Sequence, residues 1–410
     1  MFNLPKPDFA IRRQLLHRGL GTGLAGLLPA AIAAAQPRQF DKRKIGSKGG
    51  AEVPSALISL ADCGGKPGAA PATLAGAFDK AFAALAKAGG GTLVVPEGLY
   101  DFGAIDEATN IILCRNARDI AISAYGATFK ITTTAKVMPH LFYFFNFSNV
   151  TIAGASFLDA GFSPWSEWQG MYCVGIQTDI LSSGFRMVDC YAERVVGMLA
   201  AHNNASTRKL LSGISVQGGI RNAYYGVGAN FIRDGVDVDL ACHNVRRAFI
   251  AYSLKNADIA IRLSSTLAWP GSNGLVALVS GGTQMGNVEN VRVSIDVTGE
   301  CIHSSYVHFY HQGPEQEGHM RDIDATVNLL QVNGAKSLFA FDHESDGILA
   351  RTFRTWDRIS LHGRVVGKFA GKVVSNASIS RSPGTVYVDH NLAVLAGGRA
   401  LTAQFRSRPP

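Results

Sequence analysis

Histidines, tyrosines and acids crowd residues 303–319, where His303, Tyr306, His308, Tyr310, His311, Glu315, Glu317 and His319 fall within seventeen positions. A second patch, Phe341-Asp342-His343-Glu344, follows about thirty residues later. Aligning the two sets Tyr310 beside Asp342 and His311 beside His343, with Glu344 one residue further on. His202 and Asn230 begin the same column several repeats earlier. If these segments are neighbouring strands, roughly 4.8 Å apart, their side chains reach one substrate ring.

Such a set suits proton transfer on a sugar in two ways. In β-elimination, histidine or tyrosine takes the C5 proton of a uronic acid, an arginine neutralises the adjacent carboxylate, and the partner protonates the leaving oxygen. In glycoside hydrolysis, Asp342 and Glu344 would be the two carboxylates. The candidate catalytic residues are therefore Tyr310, His311, Asp342, His343 and Glu344. Candidate substrate-binding residues are His202, Asn230 and His308, joined by Trp165 and Trp168. Both tryptophans lie in an aromatic loop from Ala160 to Gln177, with Phe162 and Tyr172, whose faces could stack on pyranose rings or simply close the loop. Trp269 and Pro270 mark another insertion. The bland alternative is that stacked His, Tyr and Asn side chains terminate strands by hydrogen bonding, in a non-catalytic scaffold or polysaccharide-binding protein.

The elements that would carry these residues repeat. Apolar-x-apolar triplets recur at Ile120-Ala121-Ile122, Val150-Thr151-Ile152, Ile214-Ser215-Val216, Val236-Asp237-Val238, Ile259-Ala260-Ile261, Val293-Ser294-Ile295, Ile323-Asp324-Ala325 and Ile359-Ser360-Leu361. A second series starts at Leu199, Val227, Ile250, Leu278, Phe309, Phe341 and Val374, in steps of 28, 23, 28, 31, 32 and 33. Two interleaved series with coil-length steps imply parallel sheets in which each coil pairs only with its neighbours. Amphipathic helices are missing between the strands, which disfavours a doubly wound α/β fold. Several triplets follow Asn or Asp, as at Asn149, Asn256 and Asn290, residues that tolerate tight turns.

Alternation places Val236 and Val238 inward and Asp237 and Asp239 outward. Asp239, Arg262 and Asp296, with Asp258 beside Arg292, then read as a surface salt-bridge ladder. A Ca2+ site using Asp237 and Asp239 is the rival reading. Beyond that possibility, the sequence requires no cofactor and shows no metal-binding motif.

An apolar stripe at Leu74, Phe78, Ala81, Phe82 and Leu85 marks an amphipathic helix ended by Gly89-Gly90-Gly91, with a strand at Thr92–Val95. The run FDKAFAALAKAGGGTLVVPEGLYDFG, Phe78 to Gly103, resembles the N-terminal cap and first coil of the pectate-lyase-like superfamily. Asp62-Cys63-Gly64-Gly65 resembles the element that precedes that helix, although Lys66-Pro67-Gly68 replaces the acids that usually follow. The resemblance implies an all-β, right-handed parallel β-helix over residues 53–398 with an N-terminal capping α-helix, and a carbohydrate-active protein. It does not choose the chemistry. The Asp-Asp dipeptide of the polygalacturonase-type hydrolases is absent, Gly318-His319-Met320 is a poor match to their G-H-G, and Tyr387-Val388-Asp389-His390 lies too near the C-terminus for a lyase signature.

Residues 1–35 resemble a twin-arginine export signal: Arg12-Arg13, a Gly/Ala/Leu run, then Ala33-Ala34-Ala35. A stable membrane anchor is disfavoured because the run is short, Gly-rich and broken by Pro29. The expected location is periplasmic or secreted. Residues 36–52 read as a linker and 399–410 as a disordered tail. Hydrophobic residues make up 47% of the 410 and charged ones 17%, enough apolar material for one large core. The net charge of +8 falls to +5 without residues 1–35, which carry four Lys/Arg and one Asp. That balance suits an acidic polysaccharide or oligosaccharide, and with no basic cluster it does not argue for nucleic acid. The six cysteines have no zinc spacing and read mostly as buried small hydrophobes.

Overall fold

The computed structural model describes residues 56–164, 169–204, 206–207, 209–265, 274–281, 286–301, 303–312, 318–330, 335–343, 356–366, 369–376, 386–389, 392 and 406–407. Residues 1–35 and 36–52, read above as an export signal and a linker, most of 399–410, and Trp165, Trp168, Trp269, Pro270, Glu315, Glu317 and Glu344 lie outside the described residues, as does the side chain of His343. The described chain is mostly strand, with one helix described in full, Pro71–Lys87.

Every named strand pairing is parallel, and each strand pairs with its counterpart in the next repeat. The first ladder runs through Ile58, Leu93, Ile122, Ile152, Met187, Val216, Val238, Ile259, Val293, Ala325, Leu361 and Val388. The second runs through Ile112, Phe142, Val174, Leu199, Val227, Phe249, Val276, Val307, Phe339 and Val374. Both columns are almost wholly buried, so like side chains stack on like through the interior and each repeat covers the apolar face of the one before. A third, shorter ladder, which the sequence does not announce, links Leu99, Thr128, Ser156, Tyr191, Gly219, Ala241 and Arg262.

The helix begins at Pro71, whose fixed φ suits a first turn, and stops before Gly89 and Gly90, both at positive φ. Its buried face is Leu74, Ala77, Phe78, Ala81, Phe82 and Leu85, matching the expected stripe. Phe78 meets Phe142 edge-on at 5.4 Å and Phe129 at 6.1 Å, which ties the helix to the first repeats.

One backbone corner is copied from repeat to repeat. Asp119, Asn149, Gly184, Gly213, Gly235, Asn256, Asn290, Asp322 and Arg358 all adopt φ between 51 and 76° immediately before first-ladder strands. Asn and Asp accept this left-handed conformation at little cost because their side chains hydrogen-bond locally. Asn290 donates to Asn256 and Asn256 to Asp234, each at 2.6 Å, and Asn149 donates to Asp119 at 2.8 Å.

A second corner decides which side chains reach the outer face of the second ladder. Two consecutive residues point inward there, as in Leu141-Phe142, Cys173-Val174, Met198-Leu199, Ala248-Phe249 and Leu275-Val276, all at 0% exposure. Residues on both sides of each pair therefore face outward. This also corrects the sequence alignment in three places: Val227 pairs with Phe249, not Ile250; Ile250 with Ala277, not Leu278; and Phe341 with Asn376, not Val374.

All six cysteines are free thiols; five are buried and Cys63 is partly exposed. Among the described residues no helix is long and apolar enough to cross a membrane.

Candidate functional site

The longest connections enter and leave the second-ladder strands. Three outward columns run along it. The middle one is Tyr143, Gly175, Ala200, Gly228, Ile250, Ala277, His308 and Ala340. From Gly175 to Ala277 it is made mainly of small residues. On one side stand His140, Tyr172, Gly197, Tyr225 and Arg247. On the other stand Arg115, Phe145 and Gln177, then Asn230, Tyr252, Val279, Tyr310 and Asp342 in register. His202, one residue past the Ala201–Ile176 pair, joins this second wall beside Gln177. From Ala200 to Ala277 small side chains flanked by larger polar and aromatic ones leave a trough along the stack, and at Gly175 the His140 and Tyr143 rings cover its floor.

The densest chemistry lies at one end of it. The Nε2 atoms of His140 and His202 are 2.7 Å apart, so one ring presents N–H and the other its lone pair. The two rings meet edge to face with centroids 4.7 Å apart. His140 stacks on Tyr172 at 5.4 Å and 13°, and Tyr143 lies against both histidines. Burial, reinforced for His140 by the neighbouring ring, pushes the imidazoles down to about 3 for His140 and about 4 for His202. Both are neutral near pH 7, so each ring keeps one unprotonated nitrogen. Burial pushes the Tyr143 phenol up to about 12, against the opposing pull of Arg115, so it stays protonated while donating to Gln177 Oε1.

Two cations punctuate the trough. The Arg115 guanidinium sits 5.2 Å over the Phe145 ring. Arg247 is lowered by burial and favoured as a cation by Tyr225 and Tyr252. Five strand spacings separate the Arg115 strand from the Arg247 strand, roughly 24 Å.

The residues singled out from sequence distribute unevenly. His202 and Asn230 lie in the trough wall, and Tyr310 and Asp342 are in register as expected, continuing that wall at the other end. His308 Nε2 is 2.7 Å from Asp342 Oδ2, and its ring stacks on Tyr310 at 5.5 Å. His311 is in register with His343, but its side chain points inward, 2% exposed, with Nδ1 3.1 Å from Ser280 Oγ. The outer face at this end thus carries His308, Tyr310 and Asp342, not His311. Sequence reading missed His140, Tyr143, Tyr225, Arg247, Tyr252 and Gln177. A weak signal for them existed: aromatic and polar residues directly flank the apolar pairs, as in His140-Leu141-Phe142-Tyr143.

The first ladder carries a different surface. A groove of about 600 Å³ is lined by Arg186, Ser215, Asp237, Asp258, Arg292 and Asp324 among others. Its charges are largely paired: Arg292 with Asp258 at 3.3 Å, and Arg262 with Asp239 just outside it. Partial burial, then Asp258 and Asp239, raise the Asp237 carboxyl above its ordinary value. Among the described residues no group of three His, Cys, Asp or Glu side chains is placed to hold a metal ion.

No protein-family model matches the chain, and no curated protein matches it. Among solved structures, the chain is similar to the A-module of the mannuronan C-5 epimerase AlgE6 of Azotobacter vinelandii, at 13% identity and a TM-score of 0.34, covering 78% of this chain and 99% of that one. A likeness so distant says nothing about activity.

Proposed function

We propose that this chain is a right-handed parallel β-helix, capped by the helix Pro71–Lys87, that acts on an acidic polysaccharide lying along the trough. The reaction is β-elimination at a uronic acid. The observation that carries this reading is the His140–His202 pair: two neutral imidazoles sharing a hydrogen bond on the outer face, with a protonated phenol beside them.

In this reading the imidazole pair takes the C5 proton. Tyr143 returns a proton to the leaving oxygen, as its high pKa allows near neutrality. Arg115, the cation beside Tyr143, stabilises the carboxylate on which charge develops, and Arg247 receives the carboxylate of a more distant sugar. Tyr225 offers a ring face to the sugars between, and Tyr172 backs the His140 ring. Glycoside hydrolysis needs a second carboxylate, and among the described outward positions of this ladder only Asp342 is acidic. Export through the N-terminal segment and a periplasmic or secreted location belong to the same proposal.

The test is incubation of the purified chain with acidic and neutral polysaccharides, following absorbance near 235 nm and reducing ends together. New absorbance on uronic-acid polymers that is lost in Tyr143→Phe and His202→Ala supports elimination at this site. Reducing ends without absorbance would replace it by hydrolysis, and silence across the panel would leave a binding scaffold.

A further inference from the structure

The segment 160–171 joins the strand Ser156–Asp159 to the strand Tyr172–Gln177, and both of its stems are held by one carboxylate. Asp159 is fully buried. Its Oδ1 accepts from the backbone N–H of Thr133 at 3.0 Å and of Gly161 at 2.9 Å. Its Oδ2 accepts from Thr133 Oγ1 at 2.7 Å and from the Met171 N–H at 2.9 Å. A buried carboxylate is costly unless its lone pairs are filled, and here four donors fill them. The donors come from the preceding repeat, from the start of the segment and from its end.

Further contacts fix the segment's two described stems. Gln169 Nε2 donates to the Gly161 carbonyl at 3.1 Å, and Tyr224 Oη donates to the Pro164 carbonyl at 2.7 Å. Phe162, Val196 and Tyr224 form an apolar cluster separate from the main core, and Tyr172 and Tyr225 pack against it. Those two tyrosines belong to the trough wall. Tyr172, next in sequence to the clamped Met171, is also the ring on which His140 stacks.

We propose that Asp159 is a positioning residue: it holds residues 160–164 and 169–171 as a fixed backing for Tyr172 and Tyr225, and so governs how the trough grips the sugar rings beside the reacting one. The proposal rests on the trough being the polysaccharide site. It assigns the segment to recognition of an apolar sugar face by aromatic rings, and leaves proton transfer to the histidine pair.

Asp159→Asn tests it, because the amide keeps the shape but turns an NH2 group toward donors. Tyr224→Phe, which removes the bond to the Pro164 carbonyl and leaves Asp159 in place, is the milder second variant should the first fail to fold. The expected result is faster amide exchange in residues 160–164 and 169–171, by tenfold or more in Asp159→Asn, with KM for a uronic-acid polymer raised about five- to twentyfold and kcat within about twofold. Tyr224→Phe should move the same quantities less, in the same direction. Unchanged exchange in the segment would overturn the clamp. Faster exchange with KM unmoved would reduce Asp159 to a structural residue, and a fall in kcat alone would place its effect on the chemistry; either overturns the proposal. Inertness of the wild-type chain on every polysaccharide would instead sink the reading of the trough, a result that the exchange data distinguish.

Discussion

His140 and His202, sixty-two positions apart in sequence, bring their Nε2 atoms to 2.7 Å, and burial holds both rings neutral. An unfolded histidine titrates near 6.5, whereas these two titrate at about 3 and about 4 in the fold. The native state therefore binds fewer protons than the unfolded one below pH 6.5. Stability is complete above that value and is lost as pH falls toward 4, by up to about 1.4 kcal/mol per pH unit for each histidine. His303, buried and pushed to about 4, adds to the same slope. Thermal unfolding followed from pH 7.5 to 4 should show the loss, and His140→Gln with His202→Gln should flatten it. An unchanged slope in the double variant would mean that the pair is not what titrates.

The left-handed corner makes a second prediction. Asn290, at φ 52°, donates to Asn256, and a β-branched residue is poorly accommodated in that conformation. Asn290→Val should lower unfolding free energy by about 1–3 kcal/mol in a urea titration. Gly213, at φ 68°, occupies the same corner, and an added Cβ would lie 3.2 Å from the Gly184 nitrogen. Gly213→Asn should cost under about 1 kcal/mol, since Asn already fills this corner in other repeats. Equal losses in the two variants would remove the corner as a determinant of residue choice.

Thiol chemistry should separate the cysteines. Burial pushes Cys114, Cys190 and Cys242 up to about 12 and Cys301 to about 11, and raises Cys173 well above its ordinary value. Thiolate is the reactive form, so these five should resist an aromatic disulfide reagent in the folded protein, while Cys63 reacts. Reductant should leave the melting temperature unmoved. Rapid titration of several thiols, or a melting temperature lowered by reductant, would contradict the buried free-thiol state.

Much of this architecture was legible because the stack repeats its constraints. The apolar triplets, the outward Asp237 and Asp239, the turn residues Asn149, Asn256 and Asn290, and the Tyr310–Asp342 register each follow from period-2 alternation and coil length. The trough was less legible because alternation fails where it begins. With Leu141 and Phe142 both inward, counting parity from either strand end misassigns His140 or Tyr143, and the same double step shifted Val227 one residue from its partner. The pairing of His140 with His202 spans two strand spacings and an intervening strand, a relation that no local pattern encodes. His311 shows the converse: proximity to Tyr310 in sequence suggested a shared face, but a strand sends neighbours to opposite sides.

Gly228 tests whether the trough is the working surface. It lies on the floor between Ala200 and Ile250, and a Cβ built there would meet nothing closer than the Leu199 carbonyl oxygen at 3.8 Å. Its backbone is not in the left-handed region, so a side chain brings no conformational strain. Replacing glycine inside a strand removes an entropic penalty of roughly 0.5–1 kcal/mol, which means Gly228→Leu should fold as well as the parent or slightly better. The isobutyl group would nevertheless fill the floor of the trough between Asn230 and Arg247. Turnover of an acidic polysaccharide, or calorimetric binding of its oligosaccharides, should fall at least tenfold, with Gly228→Ala intermediate. Full activity in a stable Gly228→Leu protein would move the substrate off this face, and the acid-lined groove beside Asp237 and Asp258 would become the surface to examine next.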